Sequence, residues 1–429
     1  MTNRRQFLAI CGAACLNAGG CSRLTARRIE DMPREYALLM HPDQRRNALG
    51  DQRLKIRGAD FGMGGTDFYE KEWEGIHFYD CIFYGVIHLT RISNCVFEHC
   101  QFPGSNFQAY HFENVLFIRS DTQGKAYLMA GNTSKNVRFV ECDFGGKNQD
   151  NNHYGAIYFN QDVYYDNCTG QYMSVAGNGI VKYRNCNFGP VEIKNGESLN
   201  GNSVYATVLI ENCKFKGKAK LGPSYSTSLT IRNCKFDVLD IGNSEVKGDV
   251  LIEGVEAGAI INIFNTARSI TIRNSTFRGR NVRSPELYPE IYRSLDCGVD
   301  LDNRSDLQSV VLDGVVCGRD DGDFSVPNLI DDTASGSWIM GGVDTTVIRN
   351  CKIPKASLWL ESANVTIENY EGEKASFVTS KIGSLTFRAT AIAKAIDFTG
   401  VQVQTLDAKG LVRFAGQKIV TVDSNVHLP

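Results

Sequence analysis

The stretch TIRNCKF, at residues 230–236, decides the fold, because the chain repeats it with small changes. Close copies are LIENCKF at 209–215, KYRNCNF at 182–188, TIRNSTF at 271–277 and VIRNCKI at 347–353. The asparagine recurs mostly at intervals of about 20 residues, and the longest intervals correspond to one unit plus an insertion. A period between about 20 and 50 residues is typical of repeat architectures. The sequence therefore predicts a solenoid that grows along one axis.

Each copy predicts two short strands joined by a turn. In the segment 229–233, apolar residues alternate with polar ones and are partly β-branched, which indicates a strand with its apolar side inward. The asparagine lies where the strand must turn, because Asn tolerates unusual backbone angles and bonds locally. The Cys and Phe that follow alternate again and form a second strand. Strand, turn and strand, with no helix between them, predict a parallel β-helix with a hydrogen-bonded ladder of stacked asparagines.

Aromatic residues before residue 120 recur every five residues. The spaced aromatics are Phe68, Trp73, Phe78 and Phe83, then Phe97, Phe102, Phe107, Phe112 and Phe117. Small residues often lie two positions before them, at Cys81, Cys95, Cys100 and Ser105. His88 lies in the same spacing, so we expect it to be in the core.

This pattern resembles the pentapeptide-repeat family, whose five-residue unit forms one side of a four-sided right-handed β-helix. Four such units make a coil of about 20 residues, the period found downstream. The later coils are longer and less regular, and they resemble pectate-lyase-like β-helices. We therefore predict an all-β protein: a single right-handed parallel β-helix solenoid with coils of about 20 residues and a pentapeptide-repeat-like N-terminal part.

The amino terminus is typical of an export signal, which takes no part in the fold. The segment NRRQFL at 3–8 resembles a twin-arginine (Tat) signal of bacteria. The segment AGGC at 18–21 resembles a lipoprotein site, although Ala18 stands where that family usually has Leu. The resemblance implies acylation of Cys21 and an exported, periplasmic protein anchored stably to a membrane by several acyl chains. The alternative is an ordinary cleaved signal with a free cysteine nearby.

These patterns predict an order of segments along the chain. Residues 1–21 form the signal, and 22–50 form a linker in which 24–40 is expected to be a helix that caps the first coil. A solenoid needs such a cover over its ends. Residues 51–118 form the pentapeptide-like coils, and 119–429 form an irregular parallel β-helix.

The composition excludes several classes of protein. A formal charge of −2 and a pI near 6.4 give no basic footprint for nucleic acid. No apolar run approaches the roughly 18 residues that predict a membrane span. Without three cysteines at or before residue 21, 11 of the 14 remain, and most occupy the inward position as small buried residues. There is no close Cys-x-x-Cys pair, so we expect no zinc site.

The distribution of histidine argues against several catalytic classes. None of the seven histidines lies between residues 154 and 426. This disfavours serine or cysteine hydrolysis assisted by histidine over most of the solenoid. The Gly-His-Gly motif of polygalacturonase-like β-helix enzymes also has no counterpart here. We expect no cofactor.

Two insertions interrupt the repeat, near 279–309 and 317–342, and insertions in solenoids often form functional loops. They carry residue types that are enriched in protein interfaces. We predict that the partner-binding residues are Tyr288, Tyr292, Arg293, Trp338 and Met340. The alternative is that these loops fold back onto the wall of the solenoid and bury their own aromatic residues.

The same insertions are rich in aspartate, at Asp300, Asp302, Asp320, Asp321 and Asp323. Residues two apart on a strand lie about 6.8 Å apart, which is within the range for the carboxylates of an inverting glycosidase. These aspartates are therefore either a catalytic pair, a loosely matched calcium site or a solvated acidic loop.

Three functions remain open. The first is a non-enzymatic, membrane-anchored binding protein for a protein partner, such as an immunity protein that neutralises a secreted antibacterial toxin. The second is a polysaccharide lyase or hydrolase that uses the Asp-rich loops to act on carbohydrate. The third is a structural component of the envelope.

Overall fold

A computed structural model confirms the all-β parallel solenoid, with coils of about 21 residues. It describes residues 26–428, except for two long segments, 278–297 and 318–336, and several short ones. The short gaps are 63–67, 123–126, 146–154, 160–161, 171–172, 178, 190, 196, 200–201, 222–224, 242–244, 266, 304–306 and 378. The signal segment and Cys21 lie outside the described residues.

The described residues form two helices, one 3₁₀ turn and 36 strands. Before the solenoid come β1 (Arg27–Arg28), the 3₁₀ turn Ile29–Asp31, α1 (Pro33–Met40) and α2 (Pro42–Leu49). The first strands of the solenoid are β2 (Leu54–Arg57), β3 (Ala59–Asp60), β4 (Lys71–Glu74), β5 (Ile76–Tyr79), β6 (Val86–Ser93), β7 (Val96–Glu98), β8 (Asn106–Ile118), β9 (Tyr127–Val140), β10 (Gly155–Phe159), β11 (Val163–Asp166), β12 (Thr169–Gly170), β13 (Met173–Gly177), β14 (Gly179–Arg184), β15 (Asn187–Phe188) and β16 (Val191–Asn195).

The strands continue with β17 (Glu197–Leu199), β18 (Asn202–Val204), β19 (Ala206–Glu211), β20 (Lys214–Lys220), β21 (Tyr225–Arg232), β22 (Lys235–Asp240), β23 (Glu245–Val246), β24 (Asp249–Glu253), β25 (Glu256–Asn265), β26 (Ser269–Arg273), β27 (Thr276–Phe277), β28 (Gly298–Asn303), β29 (Leu307–Asp313), β30 (Val316–Cys317), β31 (Ser337–Arg349), β32 (Lys355–Ser376), β33 (Lys381–Asp397), β34 (Gln402–Asp407), β35 (Leu411–Val412) and β36 (Lys418–Val420). Strands in equivalent positions of successive coils pair in parallel, whereas β17 and β18 form an antiparallel hairpin.

The repeated asparagine marks a corner at which the described coils up to Ala389 take a left-handed backbone conformation. Among residues other than glycine, Asn and Asp adopt this conformation at the lowest cost in conformational energy. The corner residues all have positive φ: Gly58, Asp80, His99, Arg119, Glu141, Asn167, Asn185, Asn212, Asn233, Gly254, Asn274, Gly314, Asn350, Asn369 and Ala389. The expected ladder is present in part, because Asn212 Nδ2 donates to Asn185 Oδ1 over 3.4 Å and Asn369 Nδ2 donates to Asn350 Oδ1 over 2.9 Å, whereas Asn185 Nδ2 donates to Asp166.

Two of the three glycines in this corner, Gly254 and Gly314, lie against an asparagine of the preceding coil. A Cβ at Gly254 would lie 2.6 Å from Asn233 Oδ1, and one at Gly314 would lie 2.9 Å from Asn274 Oδ1. The amide side chain of the preceding coil thus occupies the space above it. Glycine also adopts the left-handed conformation without strain.

The cysteine after each corner is a hydrogen-bond donor as well as a small buried residue. Cys186 Sγ donates to Tyr165 O of the preceding coil over 3.7 Å and to Arg184 O over 3.3 Å. Ser120 makes the same two kinds of contact through its hydroxyl, to Phe97 O and Ile118 O. Most coils have Cys, Ser or Thr at this position, because these small side chains can be buried here and still donate to a carbonyl group. The other coils have Ala59, Val255, Val315 and Tyr370.

The aromatic rings stack along the inside of the solenoid. Phe78 and Phe97 have centroids 4.8 Å apart, Phe97 and Phe117 repeat that distance, and Phe117 and Phe139 lie 4.7 Å apart. This equals the separation of neighbouring strands, so equivalent residues lie directly above one another. Each buried ring contributes about 1.5–3 kcal/mol relative to an exposed one.

His88 is not in the core, and that expectation was wrong. Strand β6 places Ile87 and Leu89 inward, so His88 between them faces outward and is half-buried. The five-residue aromatic spacing breaks here by one residue, and alternation along the strand then decides which side chains are inside.

Both ends of the solenoid have covering segments. Leu38 and Leu39 of α1 are buried in the hydrophobic core, as expected of a capping helix, and α2 adds a second helix that the sequence reading missed. At the other end Val426 is buried. The Asn425 side chain bonds both the N–H and the C=O of Val403 over 2.8 Å, as a neighbouring strand would.

Candidate functional site

Both long insertions leave the solenoid at one corner, on consecutive coils. Phe277, the last described residue before the first insertion, pairs with Cys317, the last before the second. The chain returns in β28 and β31, which also pair with each other. We call this place the insertion corner. The coils on either side turn this corner within one residue, at Gly258 on one side and at Pro354 on the other.

The return strands bring four of the predicted residues into register. Asp300 pairs with Trp338 and Asp302 pairs with Met340 along the backbone of β28 and β31. The other predicted residues, Tyr288, Tyr292, Arg293, Asp320, Asp321 and Asp323, lie outside the described residues.

The outward row beside the insertion corner is uncharged at the two coils where the insertions leave. Thr276 and Val316 occupy adjacent places in this row, and 41% of Val316 is exposed. On one side the row continues with an ion pair between Lys235 Nζ and Glu256 Oε2, 2.6 Å apart. On the other side Lys352 Nζ and Glu371 Oε1 lie 3.2 Å apart. An uncharged centre between charged edges is typical of a protein interface.

A second outward row, just before the left-handed corner, alternates strictly in charge. Its members in coil order are Asp166, Arg184, Glu211, Arg232, Glu253, Arg273, Asp313, Arg349, Glu368 and Arg388. Neighbours bond one another: Arg273 Nε lies 2.7 Å from Glu253 Oε1, and Arg349 donates to Asp313 over 2.8 Å. The repeat motif predicts a charge at this place, but its sign pattern appears only when the coils are stacked.

These arginines hold their acidic neighbours in the ionised form. The hydrogen bond from Arg273 lowers the pKa of Glu253, and those from Arg349 and Asn350 lower the pKa of Asp313. The hydrogen bonds from Arg268 and Ser269 lower the pKa of Asp249 in the same way. A general acid needs the opposite shift, so these three carboxylates have the properties of structural ion pairs.

The described cysteines have the properties of core residues. None of the ten described cysteines forms a disulfide, and all ten are buried. Burial raises the pKa of Cys95 to about 12 and that of Cys351 to about 11. A reactive cysteine needs an exposed thiol with a low pKa. Among the described residues, no group of three or more His, Cys, Asp or Glu has the arrangement of a metal site.

A polar groove of about 920 Å³ runs across the stacked strands β31–β34. Its floor is the stacked row Asp344, Ala363, Gly383 and Gln404. Ala363 and Gly383 keep this floor open because they carry little or no side chain. A Cβ on Gly383 would lie 2.5 Å from Ala363 O, so the close approach of the two coils requires glycine.

Charged and amide side chains line the groove. On one wall Lys381 Nζ lies 3.7 Å from Glu361 Oε1, and both side chains are largely exposed. Asn364 and Ser384 lie on the other side, and Asn425 lies at one end. The sequence reading missed this site because its signal, two small residues one coil apart, is hidden between two strand patterns.

Comparison of the chain with protein-family models, with curated proteins and with solved structures gives no match. Within the described part of the chain, neither helix has the length and apolar character needed to cross a membrane.

Proposed function

We propose that this protein is a non-enzymatic periplasmic solenoid that binds a protein partner through the insertion corner. The observation that carries the proposal is that two insertions of about 20 residues leave the same corner on consecutive coils. The coils on either side turn this corner tightly, so the two insertions leave from adjacent positions between regular coils. The neutral row at Thr276 and Val316, between two ion pairs, suits a protein interface at that place.

Part of this proposal concerns location. The twin-arginine pattern and the cysteine at position 21 support export and lipid anchoring to a bacterial membrane. A secreted antibacterial toxin suits this design as the partner, which the protein would neutralise as an immunity protein. Replacing Cys21 by Ala should abolish incorporation of radiolabelled palmitate and release the protein from the membrane fraction. Labelling that persists in Cys21→Ala contradicts the anchoring.

The finer type of the solenoid also belongs to the proposal. The buried aromatics spaced by five residues support pentapeptide-repeat-like coils with right-handed winding in the first part. The longer and less regular coils after residue 119 support a pectate-lyase-like continuation.

The partner is tested by capture from periplasmic extract and from the products of neighbouring genes. The wild type should retain one protein in stoichiometric amount. Tyr288→Ala/Tyr292→Ala and Trp338→Ala should lose it, because aromatic residues dominate interface energies. The matched control is Tyr110→Ala, since Tyr110 is 49% exposed on a distant coil. Equal retention by all variants would refute the insertion corner as the binding surface.

The second candidate is a polysaccharide lyase or hydrolase. The observation that favours it is that Asp300 and Asp302 lie two residues apart on one strand, β28, a separation of about 6.8 Å. Release of reducing ends from a glycan, abolished by Asp300→Asn or Asp321→Asn, would establish this function in place of binding.

A further inference from the structure

We propose that the groove over Ala363 and Gly383 takes an extended peptide segment of the protein partner. This inference rests on the proposed function and adds a second contact, on the coils that follow the insertions. The predicted partner residues in the insertions do not include any residue of this groove.

The size of the groove fits a single extended chain. From Asp344 to Asn425 it crosses five layers of the solenoid, about 19 Å at the usual strand separation. The volume of about 920 Å³ is spread along this length. An extended chain of about six residues spans the groove.

The chemistry of the lining fits a peptide that carries both signs of charge. Asp344 and Glu361 place two carboxylates along one stretch, and Lys381 adds an ammonium group beside them. A neutral polymer forms no ion pairs with these groups, whereas a segment with one basic and one acidic side chain pairs with both signs of charge. The amide groups of Asn364 and Gln404 each donate and accept hydrogen bonds, as a peptide group requires.

The molecule itself shows an amide group bound at one end of this groove. The Asn425 carboxamide accepts a hydrogen bond from Val403 N and donates one to Val403 O, both over 2.8 Å. This is the pairing that a peptide group of an added strand makes. Asn425 thereby closes this end of the groove and occupies both backbone groups of Val403.

The floor also explains why the groove begins where it does. In the same row on earlier coils, Arg268 lies above Gly248 and bonds Asp249, with Nε and Oδ1 3.0 Å apart. That side chain covers the corner. Ala363 and Gly383 leave it open, so a bulky side chain at Ala363 should close the groove without disturbing the left-handed corner or the core.

The direct test uses an array of six-residue peptides that combine Ser, Ala, Lys and Glu, probed with the purified full chain. Peptides with both Lys and Glu should bind best. Ala363→Trp should lower their affinity at least tenfold, and Glu361→Gln should selectively weaken those with Lys. Glu373→Gln is the matched control, because Glu373, on the same strand β32, also pairs with a lysine, Lys394, and does not line the groove. Binding that Ala363→Trp leaves unchanged, or no binding at all, overturns the inference.

Two further arms separate this inference from its alternatives. An array of neutral and uronic-acid oligosaccharides is probed in parallel, and binding there that Ala363→Trp abolishes would overturn the peptide assignment. Capture of the protein partner is repeated with Ala363→Trp. If that variant retains the partner with unchanged affinity while Trp338→Ala loses it, the groove inference fails and the proposed function stands. If peptides bind the groove but no variant captures a partner, the insertion-corner proposal fails instead.

Discussion

Replacing Asn350 by Ala should destabilise the solenoid more than replacing it by Gly. Asn350 has a φ of 54°, and its side chain donates to Asp313 Oδ1 over 2.8 Å and accepts from Asn369 over 2.9 Å. Both substitutions remove these two bonds, at about 0.5–1.5 kcal/mol each. Only Ala adds the strain of a Cβ in the left-handed region, about 1–2 kcal/mol. We therefore expect the free energy of unfolding to be about 1 kcal/mol lower for Asn350→Ala than for Asn350→Gly.

In an ordinary strand position the Ala variant is more stable than the Gly variant, which is the reverse of the order expected at Asn350. The comparison therefore distinguishes the corner from a strand. In a strand interior, Gly is less stable than Ala by about 0.5–1 kcal/mol. Thr366 lies on an adjacent coil in an ordinary strand position, so Thr366→Gly should be less stable than Thr366→Ala.

Urea unfolding followed by circular dichroism gives the global effect. Hydrogen exchange at the amides of Asn350 and Asn369 gives the local one, because repeat proteins need not unfold in one step. Equal stability of the two Asn350 variants, or a more stable Ala variant, would show that the left-handed corner does not select the residue.

Three further outcomes follow from contacts in the solenoid. Cys186→Ser should have a melting temperature closer to that of the wild type than Cys186→Ala has, because a hydroxyl replaces the thiol as donor to Tyr165 O and Arg184 O. A more stable Ala variant would contradict the donor role of the thiol. Arg349 lowers the pKa of Asp313 in the folded state, so the contribution of Asp313 to stability is present above its unfolded pKa near 3.9 and is lost as the pH falls through its folded pKa. Asp313→Asn should therefore flatten the decline of the urea midpoint below about pH 5. An unchanged decline would refute this. Gly383→Ala should destabilise by about 1–3 kcal/mol, because the new Cβ meets Ala363 O at 2.5 Å, whereas Ser384→Ala, half-buried on the same strand, should change thermal stability far less.

The repeat motif was sufficient to predict the parallel coils, the asparagine corner and the buried Cys and Phe positions. These features are local, since each follows from alternation and from one turn residue. The outward position of His88 was not predicted, because the aromatic spacing breaks in β6 and only the strand register shows it. The pairing of β28 with β31, and so the common origin of both insertions, needs the register between coils that are about 40 residues apart in sequence. The groove depends on the same long-range register, and for that reason neither Ala363 nor Gly383 stood out in the sequence.

The row from Asp166 to Arg388 limits how this chain can change its length. Because the charges alternate from one coil to the next, removal or duplication of a single repeat would place two like charges side by side on the surface. Removal or duplication of two adjacent repeats would restore the alternation at the junction. The smallest unit that evolution or a designer can copy without this cost is therefore a pair of coils, although the motif in the sequence repeats once per coil.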